Sequence, residues 1–100
     1  MMITMLQATV LPEQVGNLQA EFQTAIQEWE PGIVETFLAQ DVRDPAIWRV
    51  ITVWQSREAL DAMRATGRTP RGVLMFRAAQ AEPSLTVLGV AAHGCSSVSG

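Results

Sequence analysis

Two rhythms of apolar residues run along this chain. Val15, Leu18, Phe22, Ile26 and Trp29 recur at spacings of three and four, with Asn17, Glu21, Gln23, Gln27 and Glu28 filling the polar side. That period predicts an amphipathic helix. Pro12 and Glu13 suit its first turn, and Pro31-Gly32 ends it near Trp29, because the residue before a proline avoids the α region. Short apolar runs rich in Val, Ile, Thr and Trp predict strands at 3–10, 33–40, 47–55 and 84–91. Asp44-Pro45 marks a tight turn, so the second and third strands should form an antiparallel hairpin. Ser56 is a good N-cap, with Glu58 in the first turn of a second helix running to about Ala65. The stretch from Thr66 to Pro70 breaks that helix, and 73–80 predicts a short extra helical turn.

The order is β-α-β-β-α-β, an α+β ferredoxin-like arrangement with helices on one face of a four-stranded antiparallel sheet. A length of 100 residues fits one domain, expected over 1–92, with 93–100 a small, polar, fraying tail. A sheet with one wet face alternates apolar and polar positions, and these strands do not. The third strand would carry Trp48, Val50, Thr52 and Trp54 on one face and Arg49, Ile51 and Val53 on the other. The first would set Leu6, Ala8 and Val10 against Ile3, Met5 and Gln7. Helices can cover only one face, which predicts a homodimer packed through the other.

Composition narrows the function. Apolar residues make up 48% of the chain and charged residues 17%, the opposite of a disordered segment. The formal net charge is −3, and the seven basic residues, all arginine, form no stripe of the kind that binds nucleic acid. Arg64, Arg68 and Arg71 around Gly67 and Pro70 read either as a solvated loop or as the edge of an anion-binding pocket. One cysteine, Cys95, and one histidine, His93, do not make an ordinary zinc site. The first ten residues do not read as a signal peptide, and no apolar run approaches the roughly 20 residues of a membrane-spanning helix, so the expectation is a soluble cytoplasmic protein without membrane partners.

Glu30-Pro31-Gly32, Asp44-Pro45, Trp48, Val53-Trp54-Gln55-Ser56 and Glu58-Ala59-Leu60-Asp61-Ala62 together resemble the antibiotic-biosynthesis monooxygenase family. The pattern fits without gaps from Pro31 to Met63, and in layout covers about residues 1–92. The resemblance implies a dimeric α+β barrel with a pocket between helices and sheet, lined from the third strand and second helix. It further implies oxidation of a small aromatic or quinol by molecular oxygen, with no metal or organic cofactor. Trp54 matches the strand-ending tryptophan that serves the site in several active members. The chain departs from the pattern at Thr52, where an acid is frequent, at Thr36, where an aromatic is frequent, and at Met63, where a histidine is frequent. Gln7 corresponds loosely to an asparagine of haem-degrading relatives.

Trp54 and Thr52 are therefore the candidate catalytic residues, the indole orienting an aromatic ring and the hydroxyl bonding its oxygen. Gln7, Thr36, Met63, Trp29, Met75 and Phe76 are the candidate substrate-binding residues, the methionines giving an adaptable lining. The leading expectation is a cofactor-independent monooxygenase of small quinol-type aromatics. The alternative is a ligand-binding or accessory homodimer without chemistry on the same scaffold. A haem-degrading role ranks third, because a thioether at Met63 replaces the imidazole that would hold iron.

Overall fold

In the computed structural model, residues 1–96 are described. Strand β1 (Met2–Thr9) leads through a single 3₁₀ turn at Pro12–Gln14 into helix α1 (Val15–Ala25). The hairpin β2 (Ile33–Gln40) and β3 (Ile47–Trp54) follows, then α2 (Arg57–Ala65), α3 (Arg71–Ala78) and β4 (Ser84–Gly89). The sheet has the order β2-β3-β1-β4 with every neighbouring pair antiparallel. This is the α+β ferredoxin-like fold the pattern predicts, with a third helix added. The expected tail falls partly on residues 97–100, which lie outside the described residues.

The register sorts the strands into two faces. Leu6 pairs with Val50 and Leu85, and Thr4 pairs with Thr52 and Val87, so these side chains share the helix-covered face. The core sits there, where Leu6, Ala8, Val10, Trp48 and Val50 meet Leu18 of α1, Met75 and Phe76 of α3, and Ala79 just after α3. Trp48 is a buried member of this cluster, as its apolar setting predicts. The opposite face carries Ile3, Met5, Phe37, Ile51 and Leu88; Phe37 and Leu88 are each 47% exposed.

Three details differ from the sequence expectation. Helix α1 stops a turn early, at Ala25. The chain then tightens into i→i+3 turns, Gln27 N–H donating to Thr24 O at 3.1 Å and Glu28 N–H to Ala25 O at 3.3 Å, and the Arg71 guanidinium donates to the carbonyls of Ala25 and Glu28. Trp29 consequently leaves the apolar stripe and is 51% exposed. Second, α3 is a two-turn helix beginning after Pro70, and Phe76 within it is fully buried. Its end is a Schellman closure: Gln80 takes a positive φ of 57°, Ala81 N–H donates to Phe76 O at 2.8 Å, and Gln80 N–H donates to Arg77 O at 2.9 Å. Third, β2 carries a bulge between Ile33 and Glu35. One extra residue, Val34, shifts the alternation so that both Ile33 and Thr36 face the helices.

Candidate active site

A cavity of about 350 Å³ lies between the helices and the covered face of the sheet. Its floor is Thr4 and Leu6 of β1, Thr36 of β2, and Val50, Thr52 and Trp54 of β3. Phe22 and Ala25 of α1, Leu60 and Met63 of α2, and Val73 and Met75 of α3 form its walls. Volume and lining are those of a small-ligand site, a mostly apolar hollow with a few converging polar groups.

The polar groups are three threonine hydroxyls in a row across three strands, Thr4, Thr52 and Thr36 being register partners. Thr36 Oγ1 lies 3.2 Å from Ile51 O, to which it can donate, and 3.0 Å from Thr52 Oγ1, a contact in which either hydroxyl can be the donor. Trp54, 4% exposed, donates its Nε1–H to Thr4 Oγ1 at 3.0 Å. Thr4 thus uses its oxygen as an acceptor and keeps its own proton for the cavity. The floor therefore presents hydroxyls on neighbouring strands, about 5 Å apart by strand spacing, that can each donate to or accept from a ligand.

At the mouth, Arg71 is held by Glu28 Oε2 at 3.3 Å and Glu30 Oε1 at 3.5 Å, and Arg77 by Glu82 Oε1 at 2.9 Å. The same Arg77–Glu82 contact lowers the carboxyl's pKa and raises that of the guanidinium. Glu30 is the most shielded of the three carboxylates, 21% exposed at its side chain. Arg64 and Arg68 also line the mouth.

Six of the predicted site residues meet in this cavity: Trp54, Thr52, Thr36, Met63, Trp29 and Met75. Gln7 does not. It points to the opposite face of the sheet, where its Oε1 accepts from Arg49 Nε at 2.9 Å, because odd positions of β1 face away from the helices. Phe76 lies on the side of α3 turned into the core, and does not line the cavity. Thr4 and Glu30 were not singled out by the sequence. The available signal for Thr4 was a hydroxyl in phase with Leu6 and Ala8 on an otherwise apolar face. Glu30 entered the sequence reading only as the first residue of the Glu30-Pro31-Gly32 motif. Among the described residues no three His, Cys, Asp or Glu side chains are grouped to hold a metal ion, and no helix is long and apolar enough to cross a membrane.

The fold and the cavity define a class: a ferredoxin-like α+β domain with a small-ligand site between helices and sheet. The chain belongs to the antibiotic biosynthesis monooxygenase family, whose model matches residues 1–82. Among curated proteins no sequence matches it. Solved structures share the fold at low identity. SnoaB, a cofactor-independent oxygenase from Streptomyces nogalater, is 14% identical with a TM-score of 0.68, over 92% of this chain and 94% of SnoaB. Rv0793 from Mycobacterium tuberculosis is 17% identical with a TM-score of 0.69, over 94% and 98% of the two chains. A conserved protein from Methanosarcina mazei Go1 is 17% identical with a TM-score of 0.68, over 87% and 89%.

Proposed function

We propose that this protein is a homodimeric monooxygenase that oxidises a small quinol-type aromatic with molecular oxygen, using no metal or organic cofactor. The observation that carries the reading is the cavity floor, an apolar hollow with Trp54 fixed against Thr4 and a row of three threonine hydroxyls. Family membership supports oxygen chemistry, and SnoaB, of like fold, is a cofactor-independent oxygenase.

In this reading the ring lies against Trp54 and Met63. The Thr4 hydroxyl donates to the ring oxygen on which negative charge develops as its phenolic proton passes to water. Thr52 accepts from a second hydroxyl of the ring. The electron-rich anion reduces dioxygen directly. One oxygen atom bonds to a ring carbon in place of hydrogen and the other leaves as water, the quinol supplying all four electrons and emerging as a hydroxyquinone. The protein's part is to orient the ring, stabilise its anion and exclude bulk water.

Oxygen uptake by the purified protein with a panel of benzene and naphthalene quinols tests this. Uptake well above autoxidation is expected for at least one quinol, falling about 100-fold in Trp54→Ala, the scale of a misplaced reactant. Background uptake across the panel, unchanged by the substitution, contradicts the proposal.

A further inference from the structure

The chain is acidic, with ten carboxylates against seven arginines, yet four of its arginines and only three of its carboxylates line this cavity. Those three are already engaged. Glu28 and Glu30 both hold Arg71, and Glu82 holds Arg77. Arg64, in the last turn of α2, and Arg68, in the loop that follows, have no carboxylate within salt-bridge distance among the described residues. The mouth is therefore positive on one side within a negative molecule, over walls whose low polarity concentrates the field. The inner end of the same cavity offers only uncharged hydroxyls.

Resting on the reading of this cavity as an aromatic site, we propose that its ligand is an aromatic anion, with a carboxylate held at the mouth by Arg64 and Arg68. Guanidinium groups bind carboxylates through paired N–H donors, and a ligand with a phenolic end and an anionic end could enter in one direction only. Its hydroxyl would then meet Thr4 and Thr52 while the carboxylate stays at the rim. Arg71 takes no part, because two carboxylates already neutralise it.

A matched pair of probes tests the proposal by titration calorimetry at low salt: a hydroxynaphthoate with hydroxyl and carboxylate on opposite rings, and the naphthol that lacks the carboxylate. The hydroxynaphthoate is expected to bind about fivefold tighter, the scale of an exposed charge pair, and to lose that advantage as salt rises. In the double variant Arg64→Gln/Arg68→Gln both probes should bind with the naphthol's affinity. Equal affinities in the unaltered protein, or an advantage that survives the double substitution, would overturn the rim assignment and leave the aromatic site standing. Failure of both probes to bind would overturn the aromatic site and the rim assignment with it.

Discussion

Thr4 shows how a single proton can organise this site. Its oxygen accepts from Trp54 Nε1–H at 3.0 Å, which leaves its own proton available to a ligand in the cavity. Thr4→Val keeps the shape and removes both functions. Oxygen uptake is expected to drop about 100-fold, the lower end for loss of one oxyanion donor. The buried Trp54 N–H loses its acceptor as well, so unfolding should show a loss of about 1–3 kcal/mol. Thr4→Ser should recover most of the activity; a serine variant as slow as the valine one would assign Thr4 a merely steric role. Part of the lining was legible through the family resemblance, which pointed to Trp54, Thr52, Thr36 and Met63, with Trp29 and Met75 added from residue type. Gln7 was misplaced because a correspondence by family outweighed its odd position in β1, which sends it to the outer face.

At the scale of elements, the strands and their hairpin follow from local patterning, while the details that shape the cavity do not. The bulge at Val34 leaves no local signature, since Ile33, Val34 and Thr36 suit a regular strand equally well. The Arg71 guanidinium that bonds the carbonyls at the end of α1 comes from more than forty residues away. Gly32 is legible as a helix-end glycine, yet its constraint is tertiary. It has a φ of +90°, and a Cβ there would stand 2.4 Å from Ala59 Cβ of α2. Gly32→Ala is expected to cost about 2–4 kcal/mol, combining left-handed strain with overpacking, measured by denaturant unfolding. The β2–β3 turn has its own fastening. Asp41 accepts from the N–H groups of Arg43 and Asp44 and from Arg49 Nη1, which bring its pKa down from 3.8 to about 2. A carboxylate with a depressed folded pKa stabilises the protein above its unfolded value and loses that contribution as pH falls through the folded one. Stability should therefore decline between about pH 4 and pH 2, with a shallower decline in Asp41→Asn. Identical acid profiles would remove Asp41 from the account.

For the whole molecule, the outer face of the sheet matters most. Ile3, Met5, Phe37, Ile51 and Leu88 lie on it, and every residue of β4 is exposed. The missing alternation predicted a covered second face, and the single chain leaves it uncovered. A two-fold partner packed there is the proposed solution. Light scattering coupled to gel filtration should give twice the chain mass, with Phe37→Glu shifting the mass toward that of one chain. A monomer at micromolar concentration would contradict the dimer while leaving the cavity intact. The chemistry itself is tested most directly with isotopically heavy dioxygen and whichever quinol supports uptake. The account predicts one labelled oxygen atom in the product for each dioxygen consumed, with the second label in water. A product free of label, formed with hydrogen peroxide, would show an oxidase and contradict it.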